Sequence, residues 1–297
     1  MSIRITDYGM DAVPTVDAYR TGDHAWFEKW HMYTAVGTGS TAPAQSDVAL
    51  VAEVARTSSN GGFARNEESG TDATANTVWF RSTTYRVFNF TSAYNLTEFG
   101  HFRNSSGANA VYRELFRQDP NDPNSQAITI SVQNGDQLQI IKTFELTADW
   151  NNLAKTVTLT VPGGTDISMP GTQGWGGNHT FLENMLAALW PGHTTGYITS
   201  LHGTQSTDRT QVINTSGTVP KSITRDTYTS GTYTRRYRAM YQTADANTAW
   251  SGWAFVWNSS TAFMTPSFRF VFDTADSFTK QNTHTLELYL DVSWSRG

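Results

Sequence analysis

Apolar and polar residues alternate along much of the chain beyond Val78, and this period of two predicts β-strands. The longest alternation runs from Leu286 to Trp294, where leucine, valine and tryptophan at even positions are separated by more polar residues. Large aromatic residues also recur at every second position in 253–257 and 268–272. Because one face of such a strand is polar, we expect antiparallel sheets with one side on a core and the other in water.

A tight turn is predicted at Asn134-Gly135. This pair separates an apolar alternation that ends at Val132 from another over Leu138–Leu146. Asn-Gly is the preferred sequence of a two-residue hairpin turn, because both positions tolerate a positive φ. We therefore predict a β-hairpin at this place.

Two regions lack the alternation. We interpret residues 1–75 as an N-terminal arm or loop region, because the stretch from Thr38 is rich in Gly, Ser, Thr, Ala and Asn. An arm of this kind can lock neighbouring subunits together by adding strands to their sheet edges. We interpret residues 162–230 as an insertion of loops and one helix. The helix is predicted at Thr180–Trp190, where Thr180 and Glu183 form a capping box beside an apolar stripe.

These patterns together predict an all-β fold. The expected architecture is an antiparallel β-sandwich, similar to a jelly-roll, with one short helix in the insertion and an extended N-terminal arm. The sandwich is expected to be a single domain over 76–297. Composition agrees, since 13% of residues are aromatic and only 16% are charged, which favours strands over long surface helices.

Charge, hydropathy and cysteine content narrow the possible partners. The net charge of -5, without a basic face, argues against nucleic acid. No stretch approaches the ~18 apolar residues of a membrane span, and the start of the chain lacks the pattern of a signal peptide. We therefore expect no membrane insertion. The absence of cysteine excludes disulfides, thiolate metal ligands and thiol catalysis.

Motifs that carry chemistry are missing from the sequence. The seven histidines have no close pairing such as H-E-x-x-H, and the chain has no G-x-S-x-G, G-x-G-x-x-G or P-loop sequence. We therefore predict a protein that is not an enzyme and that has no cofactor and no metal site. A glycan-degrading enzyme stays open as an alternative, because its two carboxylates are brought together in space and not in sequence. The candidates for such a pair are Glu98, Glu114, Glu183, Asp208 and Asp273.

Four tryptophans are the candidate binding residues. Trp250, Trp253 and Trp257 lie on or beside one predicted strand, and Trp175 lies in a glycine-rich stretch. Their flat rings are suited to an interface between subunits or to stacking on the apolar faces of a sugar. The residues between the three clustered tryptophans are apolar as well, so a buried strand or a subunit interface is favoured over a sugar platform.

Two segments resemble structural proteins of tailed bacteriophages. The first runs from Leu96 to Leu146 and contains the sequences LTEFGHF, NSSG, YRELF and GDQL. Tyr112 stands where serine usually precedes the arginine of this pattern. The second segment runs from Phe268 to Arg296 and contains FRFVFD, Lys280 and a final strand that ends on SWSR.

The resemblance implies a virion protein and supplies no catalytic residues. It leaves the position in the particle open. We expect a subunit of the tail, tail tip, collar or fibres that forms a homo-oligomer, contacts other virion proteins and is assembled in the cytoplasm of a bacterial host. A head decoration protein and a carbohydrate-binding module that recognises a host surface glycan are the alternatives. Residues 1–75 and 162–230 have no counterpart in the resemblance.

Overall fold

The computed structural model consists mainly of β-strands in the part of the chain that it describes. It describes residues 5–15, 30–72, 77–120, 122, 124–149, 153–159, 167–174, 196–203, 205, 219–257, 268–273 and 278–296. These residues contain twenty strands, one six-residue α-helix and one 3₁₀ turn, and all pairings among the strands are antiparallel. The predicted all-β class is confirmed.

The elements follow one another along the chain with these bounds: α1 (Asp7–Ala12), the 3₁₀ turn (Val13–Thr15), β1 (Tyr33–Gly37), β2 (Glu53–Thr57), β3 (Asn66–Asp72), β4 (Thr77–Asn89), β5 (Tyr94–Leu96), β6 (Glu98–Phe102), β7 (Ala110–Leu115), β8 (Ile130–Val132), β9 (Gln137–Asp149), β10 (Leu153–Leu159), β11 (Ile167–Gly174), β12 (Gly196–Leu201), β13 (Pro220–Ser222), β14 (Thr224–Arg225), β15 (Thr234–Tyr241), β16 (Ala249–Trp250), β17 (Gly252–Trp257), β18 (Phe268–Phe272), β19 (Phe278–Thr279) and β20 (Leu286–Ser293).

Residues 5–149 form what we call the N-terminal lobe. Its sheets have the strand orders β2-β1-β6-β7, β3-β4-β9 and β5-β8. The long strands β4 and β9 pair along their whole length, from Thr77 opposite Asp149 to Asn89 opposite Gln137. The core of this lobe is built from apolar and aromatic side chains of all three sheets, joined by two residues that precede β1. Its fully or nearly fully buried members include Ala12, Trp30, Val36, Phe80, Phe88, Leu96, Phe102, Val111, Val132 and Phe144.

The described residues between 153 and 296 form the C-terminal lobe. Its largest sheet has the order β10-β11-β18-β17-β12-β13, and two smaller sheets have the orders β14-β15-β20 and β16-β19. The core of this lobe is mainly aromatic. Its buried members are Ile198, Tyr237, Ala239, Tyr241, Trp250, Trp253, Phe255, Phe270, Phe272, Leu286 and Leu288. Within the described part of the chain, each strand pairs only with strands of its own lobe, and the single domain predicted over 76–297 stays a prediction.

The N-terminal arm predicted over 1–75 is wrong for the residues that follow Trp30. Strand β1 lies between β2 and β6 in its sheet, and β3 pairs with β4. Ala35 and Val36 on β1 are completely buried. The small and hydroxylated residues of this region, such as Thr34 and Ala35, lie where neighbouring strands come close, and their composition resembles that of a loop.

The insertion predicted over 162–230 is also wrong where it is described. Strand β11 lies between β10 and β18, and β12 lies between β17 and β13, so this region supplies inner strands to the largest sheet. The predicted helix Thr180–Trp190 lies outside the described residues. The helix that is described, α1, lies near the other end of the chain and is capped by Thr6, whose hydroxyl accepts a hydrogen bond from the Gly9 N–H at 2.9 Å.

The tight turn predicted at Asn134-Gly135 is present, but the predicted pairing of the two strands that flank it is wrong. Gly135 has a φ of 91°, as the tight turn requires. The strands on its two sides belong to different sheets, because β8 pairs with β5 while β9 pairs with β4. Hydrogen bonds between Phe90 and residues 135–136 hold the turn as a corner between two sheets.

Candidate interaction surface

The predicted tryptophan surface does not form where its residues are described. Trp250 is completely buried and Trp253 is 7% exposed, and both belong to the aromatic core of the C-terminal lobe. Trp253 stacks on Phe270 with ring centroids 4.8 Å apart. Trp257 ends β17, but its side chain, like all of Trp175, lies outside the described part. The two core rings therefore offer no free face to a sugar or to a second subunit.

Glu98 and Arg113, in the segment from Leu96 to Leu146, form a buried ion pair. Arg113 Nε donates to Glu98 Oε2 at 2.8 Å, and both side chains are at most 1% exposed. The guanidinium also donates to Asp47 Oδ2 at 2.6 Å and to the Thr41 carbonyl at 2.8 Å. Burial alone would lower the pKa of Arg113, but the hydrogen bonds to Asp47 and Glu98 raise it. Arg113 is therefore a permanent internal cation.

Glu98 uses the rest of its acceptor capacity to hold the loop between β1 and β2. Its Oε1 accepts from the backbone N–H groups of Gly39 and Ala52 at 3.0 and 2.9 Å, and its Oε2 accepts from Val51 N at 3.2 Å. A buried charge is tolerated only when its partners satisfy it, and these donors together with Arg113 do so. The ion pair thus gives an otherwise irregular loop a fixed position on the sheet.

Lys280, in the segment from Phe268 to Arg296, is another internal cation. Lys280 is 1% exposed, and its ammonium group donates to the Gln242 carbonyl at 2.7 Å and to Asn247 Oδ1 at 2.9 Å. Burial lowers the pKa of Lys280, although the nearby Asp245 carboxylate opposes this change. The lysine therefore fastens the turn between β15 and β16.

The end of the segment from Phe268 to Arg296 joins the two lobes. Trp294 Nε1 donates to the Met10 carbonyl of α1 at 3.0 Å, and Arg296 Nε donates to the Ile5 carbonyl at 2.8 Å. The Arg296 guanidinium also pairs with Asp7. Helix α1 is in turn held on the N-terminal lobe by Thr6, which donates from its hydroxyl to the Ala110 carbonyl at 2.5 Å.

Asp11 is the second acidic contact of this joint. Its carboxylate accepts from Tyr228 Oη at 2.6 Å, from Gly231 N at 2.8 Å and from the Ser230 hydroxyl. Burial alone would raise the pKa of Asp11, but these hydrogen bonds lower it below its ordinary value. The segment around α1 accepts all of these bonds and the C-terminal lobe donates them.

Two histidines are buried together in the N-terminal lobe. The rings of His31 and His101 lie 6.2 Å apart at nearly right angles, and both contact Phe144. His101 Nδ1 is 3.0 Å from the Thr34 hydroxyl. Burial lowers the pKa of His31 to about 3 and lowers that of His101 well below its ordinary value. Both are therefore neutral core residues at neutral pH.

The residues proposed for a carboxylate pair have structural partners. Glu98 is enclosed by its donors, and Glu114 forms an ion pair with Arg117 at 3.0 Å. Asp273 is exposed after β18, while Glu183 and Asp208 lie outside the described residues. No group of three or more histidine, aspartate or glutamate side chains that could hold a metal occurs within the described ranges.

An exposed aromatic and apolar row lies on the outer face of the sheet β3-β4-β9. Tyr85 on β4 is directly opposite Ile141 on β9, and Phe63, which precedes β3, stacks on Tyr85 with centroids 5.6 Å apart. Phe63 is 47% exposed and Ile141 is 57% exposed. Sequence reasoning missed this row, because Phe63 belongs to a glycine-rich stretch and the row crosses three chain segments.

The rest of this face is polar and internally neutralised. Thr83 and Thr143 share a hydrogen bond of 2.7 Å in the next cross-strand position, and Arg81 pairs with Glu145 one position further. The Arg81 guanidinium also lies over the Trp79 ring, 4.4 Å from its centroid. We call this surface, from the Phe63 row to Trp79, the outer face.

Comparison with known proteins identifies no relative: no family model, no curated protein and no solved structure matches the chain. The search for membrane spans found no helix of sufficient length and apolarity among the described residues.

Proposed function

We propose that this chain is a structural subunit of a tailed-bacteriophage virion, on the tail, tail tip, collar or fibres, and that it assembles as a homo-oligomer. The proposal rests on the contacts made by the residues that carry the resemblance. Glu98, Arg113, Lys280, Trp294 and Arg296 are all engaged in internal contacts. The residues that carry the resemblance therefore serve as scaffold residues of this chain, which fits a role in construction better than a role in chemistry.

The distribution of polar groups supports the same conclusion. The buried charges of the N-terminal lobe hold a loop, and the buried lysine of the C-terminal lobe holds a turn. Both are partnered within the chain and neither leaves an ionisable group positioned to act on a substrate. The exposed outer face offers apolar and aromatic side chains for contact with another macromolecule.

The proposal is tested by locating the chain in particles of the phage that encodes it. Mass spectrometry of purified virions is expected to detect the chain at a fixed ratio to the other virion proteins, and cryo-electron microscopy is expected to place it in symmetric rings or fibres. A chain that is absent from the particle and strictly monomeric in solution would overturn the proposal.

A second candidate function is recognition of a host surface glycan, now at the outer face and not at the predicted tryptophans. The exposed Phe63 ring, stacked on the half-buried Tyr85, favours it, because aromatic faces stack on the apolar faces of sugars and hydroxyl groups lie nearby on this face. Glycan-array binding that is lost in Phe63→Ala and kept in Met240→Ala, an equally exposed residue of the other lobe, would support it. Binding that is unaffected by Phe63→Ala would exclude this face.

A further inference from the structure

A sheet edge that is left unpaired attracts other strands, and natural proteins protect such edges. The edges of the two larger sheets of the N-terminal lobe are protected. Strands β2 and β3 carry charged residues, such as Arg56 and Glu68. Ile5 and α1 cover β7, because Ile5 forms a bridge with Tyr112 and Thr6 N donates to the Val111 carbonyl. On β9, the side chain of Lys142 points inward, with its ammonium group 4.7 Å from the centre of the Tyr112 ring.

Strand β20 is the exception in the C-terminal lobe. Its sheet ends on it, and no described strand pairs with its second edge. Strand β13, at the edge of the largest sheet, contains Pro220 and Lys221, and β14 has only two residues. β20 has eight residues without proline, glycine or lysine. Among the described strands of this lobe, the longest open edge therefore lacks proline, glycine and lysine, which commonly prevent edge pairing.

The acidic residues of β20 do not protect its edge either, because they are neutralised from the neighbouring strand. Asp291 pairs with Arg236 at 2.7 Å, and Glu287 lies 3.8 Å from Arg238. On the inner face, Leu286 and Leu288 are buried, but Leu290 and Val292 are only partly covered. The apolar side chains of β20 thus extend, at Leu290 and Val292, beyond the part of the strand that the rest of the chain buries.

The backbone of β20 shows which groups are free to pair. Trp294 N donates to the Tyr233 carbonyl at 3.0 Å, and these residues continue the register that places Ser293 opposite Thr234. In an antiparallel pair such bonds recur at every second residue, so even positions of β20 bond to β15. The N–H and C=O groups of Glu287, Tyr289, Asp291 and Ser293 consequently point to the open edge.

We propose that β20 pairs with β20 of a second copy of this chain, antiparallel and about a twofold axis at Leu290. In this register Tyr289 lies opposite Asp291 of the second copy, and Glu287 lies opposite Ser293. A register centred on Tyr289 would pair an equal length of the strand. It places Glu287 opposite Asp291 of the second copy and is disfavoured because these residues carry like charges. Pairing at Leu290 also extends the apolar row, since Leu288 then lies opposite Val292.

The choice of a second copy as the partner rests on the proposed function of a self-assembling subunit. The resulting dimer joins two three-stranded sheets into one continuous sheet of six strands, and its interface is isologous. No side chain of the buried ion pair or of the joint between the lobes takes part in it.

The register can be tested by cross-linking, because the chain contains no cysteine. Leu290 would face its own copy in a non-hydrogen-bonded pair with Cα atoms about 4.5 Å apart, a distance at which a disulfide forms. Leu290→Cys is therefore expected to form a covalent dimer rapidly on mild oxidation. The matched control is Val292→Cys, whose two copies would lie roughly 13 Å apart along the strand, at about 3.3 Å per residue, and which should stay uncross-linked.

Size-exclusion chromatography with light scattering completes the test. Wild type and reduced Leu290→Cys are expected to be dimers or multiples of dimers with the same circular dichroism spectrum. Monomeric wild type, or equal cross-linking of the two variants, would overturn the β20 pairing. These measurements use the purified protein alone, so they can fail while the chain is still found in virions, and the virion experiment can fail while the dimer forms.

Discussion

The two lobes are stabilised in different ways, although both are antiparallel β-structures. Among the described residues, the N-terminal lobe buries Arg86, His31, His101 and the Glu98–Arg113 pair, whereas the C-terminal lobe buries the cations Arg269 and Lys280 and has a mostly aromatic core. A buried ion pair contributes little net stability but is costly to break, while aromatic packing contributes in proportion to the area it buries. The N-terminal lobe should therefore be more sensitive to charge changes, and the C-terminal lobe to loss of volume.

Removal of Glu98 is expected to have the largest effect. Glu98→Ala leaves the Arg113 guanidinium buried without its carboxylate and releases the loop between β1 and β2, which should cost about 3–5 kcal/mol of unfolding free energy. Chemical denaturation measures the loss. The control is Glu145→Ala, which breaks the exposed pair with Arg81 and should cost no more than about 1 kcal/mol. Equal effects of the two substitutions would contradict the structural role of Glu98.

Shortening a side chain in the core of the C-terminal lobe is expected to have the second-largest effect on stability. Ile198→Ala opens a cavity in a completely buried position of β12 and should cost about 2–5 kcal/mol. Hydrogen exchange should show the loosening in the C-terminal lobe and not in the N-terminal lobe. Ile141→Ala, at an exposed position, is the control and should change stability by roughly 0.5 kcal/mol or less. Exchange that rises equally in both lobes would show that their cores are not separate.

Acid should weaken the N-terminal lobe through its buried histidines. The unfolded chain binds protons at His31 and His101 near their ordinary pKa of 6.5, but the folded lobe does not, since burial lowers the pKa of His31 to about 3. Stability present above about pH 6.5 is therefore lost progressively as the pH falls toward 3. The slope, followed by thermal unfolding between pH 7 and 4, should be smaller in His101→Gln.

His284→Gln is the control for the acid effect. His284 lies in the turn before β20, outside the N-terminal core, and its replacement should leave the slope unchanged. A pH dependence that is the same in wild type and in His101→Gln would contradict the assignment of the acid sensitivity to the buried pair.

The smallest expected effect concerns the joint between the lobes. Asp11→Asn keeps the shape of the side chain but weakens the hydrogen bonds from Tyr228, Ser230 and Gly231, at a cost of about 1 kcal/mol. Calorimetry should show the unfolding transitions of the lobes moving apart. Asp273→Asn, at an exposed position after β18, should leave the transitions together. Unchanged transitions in Asp11→Asn would mean that the joint does not couple the lobes.

The contrast between the lobes also explains where sequence reasoning succeeded. In the C-terminal lobe, Phe268–Phe272 and Leu286–Ser293 are strands as predicted, because apolar residues fill their inner faces. In the N-terminal lobe, inward positions are occupied by Thr34, Thr84 and Arg113, so the period of two is hidden. Thr34, on the first of the strands between 33 and 72, is an example of a polar inward position that makes this region resemble an arm in sequence.

The alternation of apolar and polar residues by itself determined the all-β class, the final strand and the tight turn at Gly135, because these depend on neighbours in sequence. Only the tertiary structure decided which strands pair, that Trp250 and Trp253 are core residues, and that Phe63, Tyr85 and Ile141 form one exposed row. It also decided that Glu98, Lys280 and Arg296 serve as anchors. Partners far apart in the chain satisfy those charges, and burial depends on the whole fold.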